Sequence, residues 1–344
     1  MKVLRFISLF SLCVLIACAV GIAADAPQST YHLAKTYKFG AAPGGSEYFD
    51  YITVDPQTRR VYLGHGAEVL VMNADTGALD GKVSGFKRQH GVALAPDLGR
   101  GFATDGDGAS VTIFDLKTLK KISDVKAAED ADCVVYDAIS KRVFTLNGDP
   151  NSSTVIDAKE GKVVGTVALG GKPEFAVSDG KGTIYANLVD KNEVVSFDTK
   201  TLQVKSHWPT APAGSPVSMA IDRKNRRLFI GARNPAMMVV MNADNGQVIQ
   251  TFPITGGVDA AVFDPGTACV FVSTRDGYIH IFHRDSPDKY SEAGQVKTEV
   301  GAKTMGYDSK TQNLITDTSD FGTPTANGRP NPIPGTFRVL VYSK

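Results

Sequence analysis

Four carboxylates, one imidazole and one ammonium recur along this chain at a nearly constant spacing. Asp50, His90, Asp132, Glu174, Asp259 and Lys303 follow one another at intervals of 40 to 44 residues, once Val217 is counted in its place between Glu174 and Asp259. Brought to one place, such side chains could bind a small polar ligand. They could also hold a divalent cation, with Asp50, His90, Asp132, Glu174 and Asp259 as the candidate metal ligands. Oxygen-rich ligation with one histidine suits Ca²⁺, Mg²⁺ or Mn²⁺, and Zn²⁺ if His90 takes part. Crowded carboxylates repel one another, so some must stand protonated or be neutralised by cations, and Lys303 and Arg275 can supply part of that compensation. The plain alternative is a water-filled polar channel.

Other residues could join them. His65, Asp105, Asn147, Asn187, Arg233, Arg275 and Asp317 recur at a second common position, each at the end of an apolar run. Asp105-Gly106-Asp107-Gly108 looks like part of a calcium loop but lacks the third ligand, and Asp-Gly readily forms a β-turn. The segment from Ser319 to Thr336 carries four prolines where the other repeats have only a few residues. Loops this long are usually functional or disordered, so it reads as a lid with Phe321 and Arg329 available to a ligand, or as a mobile surface loop. No GxSxG, HExxH, CxxC or CxxCH pattern and no glycine-rich phosphate loop occurs. His280 and His283, three apart in one strand, face opposite sides and read as ordinary strand histidines.

The spacing comes from a repeat. Each ring residue stands five before an anchor (Asp55, Ala95, Asp137, Asp179, Asp222, Asp264 or Asp308) where an apolar run enters a tight polar turn and leaves as a second apolar run. The fourth unit shows the pattern in full: PEFAVSD, TIYANL, EVVSFD and LQVKSHW are four short runs of strand type, parted by turns such as Asp179-Gly180-Lys181-Gly182. A period near 42 with four strands per unit predicts an all-β fold, a seven-bladed β-propeller of four-stranded blades over residues 30–344. The anchor aspartates are then turn chemistry. The seventh unit lacks an outer strand of its own, and His32 to Phe39 is the spare one, so the N-terminal strand is expected to close the ring. Sheets packed about 10 Å apart give seven blades a mid-blade radius near ~11 Å, close enough for Asp or Glu side chains to meet one small ligand on the axis.

Bulk properties narrow the setting. Lys2 and Arg5, an apolar run from Phe6 to Val20 and small residues up to Ala24 have the layout of a secretory signal over residues 1–24. Leu15-Ile16-Ala17-Cys18 also looks like a bacterial lipobox, which would anchor the chain through Cys18. Periplasmic or secreted export of a monomer is expected. Cys133 and Cys269 remain, too far apart around a ring to pair, and read as inert thiols. With 37 basic and 36 acidic residues, no field draws nucleic acid or an anionic membrane. No later segment is apolar enough to span a bilayer.

The units VTIFDLKTLKKI (111–122), EVVSFDTKTLQV (193–204) and MMVVMNADNGQVIQTFPI (237–254), each after a strand such as RVYLGH or TIYANL, resemble the YVTN-type repeat of the YncE-like seven-bladed propellers. The resemblance covers essentially the whole mature chain and implies an exported propeller whose relatives mostly have undefined functions. Three functions are open. The first is an exported, non-catalytic propeller binding a small polar ligand, metal ion or protein partner at the channel mouth through Asp50, His90, Asp132, Glu174, Asp259, Lys303 and Arg275. The second is a metal-dependent, lactonase-like hydrolase whose cation polarises a carbonyl. The third is an accessory subunit of a quinoprotein-like redox system.

Overall fold

The computed structural model describes residues 29–324, 328 and 330–344. It contains seven four-stranded antiparallel sheets. Blade one runs from the axis outward as Phe49–Asp55, Arg60–His65, Glu68–Asn73 and Leu79–Ser84. Blades two to six repeat this order on innermost strands Gln89–Ala95, Ala131–Asp137, Pro173–Ser178, Gly214–Asp222 and Val258–Asp264. Blade seven consists of Met305–Asp308, Asn313–Thr318 and Arg338–Ser343, with His32–Lys38 added on the outside. The expected closure is present: His32 pairs with Ser343 and Lys38 with Arg338, so the two ends of the chain share one sheet. Each innermost strand packs against the next, and that of blade seven returns to blade one.

The core is a set of layers between blades. Seven apolar clusters occur among the described residues, each drawing side chains from two consecutive blades. Phe144 of blade three lies tilted against Phe197 of blade four at 5.7 Å between centroids, and Tyr62 of blade one meets Phe114 of blade two at 6.1 Å. All four are essentially inaccessible to solvent. Burying one such ring stabilises by roughly 2–3 kcal/mol, so the two faces of every blade depend on neighbours.

The anchor aspartates are turn residues, as their recurrence implies. Asp55 accepts from the backbone N–H groups of Gln57 and Thr58 at 3.0 and 3.2 Å, and Asp222, Asp264 and Asp308 bond their own turns in the same manner. Each turn ends on a left-handed residue: Arg59, Gly99, Lys141, Gly182, Arg226, Ala268 or Gln312. Two of those arginines then reach the previous blade, Arg59 to Asp308 at 2.7 Å and Arg226 to Asp179 at 2.9 Å. The turn chemistry thus also ties blade to blade. Cys133 and Cys269 are both free thiols, and His280 is buried while His283 is exposed beside Asp285.

The long blade-seven segment contains a small ribbon, Phe321–Pro324 paired with Pro330–Pro332. Arg329, the signal segment 1–24 and Cys18 lie outside the described residues. Among the described residues no helix is long and apolar enough to cross a membrane.

A chain begun at Gly40 would lack the closing strand and expose the edge of Arg338–Ser343. Its melting temperature, followed by circular dichroism, is expected to fall by about 10 °C or more. An unchanged melt would mean that the strand is dispensable to the ring.

Candidate functional site

Six of the seven innermost strands carry a β-bulge where a ring residue stands. The register shifts between Asp50 and Ile52, Gln89 and Val92, Ala131 and Val134, Pro173 and Ala176, Pro216 and Ser218, and Val258 and Ala260. An extra residue there breaks the strict in–out alternation of a strand and re-aims a side chain. Asp50, His90, Asp132, Glu174 and Asp259 are each the second residue of an innermost strand; Val217 comes later in its longer strand, and Lys303 two residues before Met305. All seven line one cavity of about 1850 Å³ at the end of the channel, and Arg275 lines it too.

Below them an aromatic pair narrows the channel, and the cavity continues past it to Val54, Val262 and Tyr307. Tyr51 of blade one and Phe175 of blade four meet across the axis with ring centroids 5.6 Å apart, and the Tyr51 hydroxyl donates to the Glu174 carbonyl at 3.2 Å. The cavity is therefore a funnel narrowed on the axis by an aromatic pair.

The charged residues pair around its wall. The Lys303 ammonium donates to Asp50 Oδ1 at 2.8 Å and to Asp259 Oδ2 at 3.1 Å. Arg233 continues the chain with Nη2 on Asp259 Oδ1 at 3.1 Å, and His90 Nδ1 extends it the other way, 3.0 Å from Asp50 Oδ2 and 3.1 Å from Asp132 Oδ1. The contact to Asp132 makes no hydrogen bond, so that buried oxygen has no donor. Tyr48 donates its hydroxyl to Asp50 Oδ2, and the Arg88 guanidinium lies 4.3 Å over the Tyr48 ring. Glu174 stands apart: among the described residues no hydrogen bond or ion pair reaches its carboxylate.

Proton affinities follow from these contacts. Burial works against an ionised Asp50, but Lys303 and His90 overcome it and hold the carboxyl well below the usual carboxylate range. Burial disfavours the imidazolium of His90, yet Asp132 and Asp50 lift it to about 9, so it is charged at neutral pH. Lys303 is raised by Asp259 and Asp50 against its burial. Glu174 is pushed up to about 7, by burial first and then by Asp132 and Asp259. Asp317, fully buried with neither oxygen hydrogen-bonded, is raised far above the carboxylate range by desolvation, which Lys303 only partly offsets.

Of the second set of residues only Arg233 and Arg275 line the cavity. His65 pairs with Glu47 at 3.1 Å and stacks on Phe337 at 4.1 Å. Asn147 bonds Ser152 and Thr154 within its own sheet, and Asn187 bonds the Ser218 carbonyl of the next blade. Asp105 accepts from the N–H groups of Lys87, Arg88 and Gly108, which makes its loop a β-turn that presents Arg88. Phe321 packs on Phe49 at 6.4 Å and, with Pro330, Asn331 and Pro332, lines the cavity, so the long segment does border the funnel. Three of the five candidate metal ligands, Asp50, His90 and Asp132, have ligand atoms within 4.8 Å of one another; Glu174 and Asp259 are not part of that group.

Sequence reasoning passed over Tyr48, Arg88, Asp130 and Lys172, which also line the cavity. The signal was in the spacing. Each stands two residues before a ring residue, so the same repeat that marks the first ring marks a second one above it.

Because Glu174 holds its proton more tightly when folded, its share of stability is present at pH below its unfolded value and is lost as pH rises through about 7. Glu174→Gln is expected to match the parent in urea unfolding at pH 4 and to exceed it at pH 8. An identical pH dependence in both proteins would contradict this.

No protein-family model matches the chain, and no curated protein matches it in sequence. Solved structures do resemble it in shape. Kuenenia stuttgartiensis hydrazine synthase superposes with a TM-score of 0.70 at 14% identity, over 77% of this chain and 91% of that one. The WD40 repeats of RRP9 superpose with a TM-score of 0.74 at 8% identity, over 92% of this chain and 99% of that one. At such identities the likeness is one of fold, and the fold it supports is the seven-bladed β-propeller.

Proposed function

We propose that this chain is an exported propeller of the YVTN-repeat, YncE-like kind that binds a small polar ligand in the funnel without transforming it. The observation that carries the reading is convergence: ring residues from all seven blades line one polar cavity, six of them set by a bulge in the same place. Repeated bulges beside a cavity are features shaped for a site. The charges support binding over catalysis. Asp50 is held ionised by two cations and is a poor base, and His90 is an imidazolium with no lone pair to offer at neutral pH. Export rests on the basic and apolar start of the sequence, and a monomer on the closure of the ring within one chain.

The reading is tested by thermal-shift measurement of the mature protein against sugars, organic acids, amines and amino acids. At least one class is expected to raise the melting temperature saturably in the parent and in Lys205→Ala, far from the funnel, but not in Arg275→Ala. If no class moves the melt, small-ligand binding fails and a protein partner at the funnel rim takes its place.

A second reading, metal-dependent hydrolysis, is favoured by one observation. Asp50, His90 and Asp132 form a compact N,O ligand set beside Glu174, whose proton affinity near neutrality suits a general acid–base group. A metal there must displace the His90 proton, which costs affinity at neutral pH. Equilibrium dialysis against Zn²⁺, Mn²⁺ and Ca²⁺ decides it: near-stoichiometric binding lost in His90→Gln would support the hydrolase, and no retained ion would remove it.

A further inference from the structure

Around the funnel, charges alternate blade by blade. From blade four the order is Glu174, Arg233, Asp259, Lys303, Asp50, His90 and Asp132, with Arg233 supplying from the second strand of blade five the cation that Val217 does not. A ring of seven cannot alternate throughout. One pair of neighbours must share a sign, and here it is Asp132 and Glu174.

The other contacts along the circle, except that of Glu174 with Arg233, are ion pairs made within the protein by Lys303, Arg233 and His90. Asp132 instead raises the proton affinity of Glu174. The ring above adds to the defect: Glu129, Asp130 and Asp149 of blade three also line the cavity, and among the described residues Lys172 of blade four, 3.2 Å from Asp130 and 3.7 Å from Asp149, is the one cation lining it there. An independent observation lies beside the pair. His90, only 2% exposed, has an Nε2 with no hydrogen-bond partner. It faces Gly106, where any side chain would place a Cβ 2.7 Å away, and both residues line the cavity. The wall thus holds the Glu174 carboxylate with no ion pair, an Asp132 oxygen met only by the His90 imidazole at 3.1 Å, and a buried His90 Nε2 with no hydrogen-bond partner, and Arg233 stands on the far side of Glu174.

We propose that the ligand of this funnel is a small zwitterion, an amino acid or short peptide with a free amino group, whose ammonium is held between Asp132 and Glu174. An ammonium supplies donors to the Asp132 and Glu174 oxygens and cancels the like-charge contact that the odd ring imposes. Its carboxylate accepts from the flanking cations, His90 Nε2–H on one side and Arg233 on the other. The inference rests on the small-ligand reading above and narrows it to one class.

The test is isothermal titration of the mature protein with the twenty amino acids and a set of dipeptides, followed by the N-acetyl and C-terminal amide forms of the tightest. Acetylating the amine is expected to weaken binding by roughly tenfold or more. Glu174→Gln is expected to weaken the free-amine ligand by a similar factor and to leave the acetylated one unchanged, so that the preference collapses; circular dichroism checks that the variant folds. Equal binding of free and acetylated ligands, or full affinity in Glu174→Gln, would overturn the proposal. Binding of sugars or organic acids with none of amine-bearing compounds would overturn it while leaving the small-ligand reading in place. Silence from every class would remove both.

Discussion

A four-stranded blade has two apolar faces and two strand edges, and it can hide none of them within itself. Each of the seven apolar clusters therefore spans a pair of blades, and no blade completes a core alone. Closing the circle removes the last exposed face, and pairing His32–Lys38 onto Arg338–Ser343 gives blade seven its fourth strand. The same constraint dictates the funnel. The innermost strands present their free edges to the axis, where unpaired backbone groups need polar surroundings, so the one place seven repeats converge is also a place that must be polar.

Polar surroundings alone do not make a site, and the bulges supply the difference. A regular strand beginning at Phe49 would turn successive side chains to opposite faces and commit them all to inter-blade packing. With the bulge, Phe49 and Ile52 both enter the cluster shared with blade seven, while Asp50 is released to the funnel and Tyr51 to the axis, where it meets Phe175. Core and site are thus separated within four consecutive residues. The arrangement recurs in blade four, where Ala176 joins the core, Glu174 lines the funnel and Phe175 meets Tyr51.

The fold was legible because its cause is periodic. Anchors every 42 residues or so, turn aspartates and an orphan strand at the N-terminus all reflect local chemistry that a sequence displays. The ring residues were legible for the same reason, and all of them line the cavity. What sequence could not display is which charges meet. Asp105 and Arg233 hold equivalent positions in the repeat, yet one is turned back into a β-turn and the other reaches Asp259, because the choice depends on neighbours from another blade. The fully buried Asp317 was likewise grouped with polar channel residues, although it lies within blade seven, where desolvation raises its proton affinity far above the carboxylate range. Tyr48, Arg88, Asp130 and Lys172 escaped because the position two before each ring residue was not among those followed along the repeats.

Lys303 shows how closely the electrostatics and the topology are linked. It sits in the one blade whose innermost strand has no bulge, and it reaches the cavity from the loop before that strand. From there one ammonium serves carboxylates on both neighbouring blades, Asp50 on blade one and Asp259 on blade six. A cation placed at the seam of the circle neutralises two blades at once, and His90 does the same between blades one and three. Two shared cations and Arg233 then form ion pairs at five of the seven junctions, and the two without one are those on either side of Glu174. The remaining like-charge contact follows from having seven blades: an even ring could have balanced itself, whereas this one must leave a junction to something outside the chain or carry the repulsion in the raised proton affinity of Glu174.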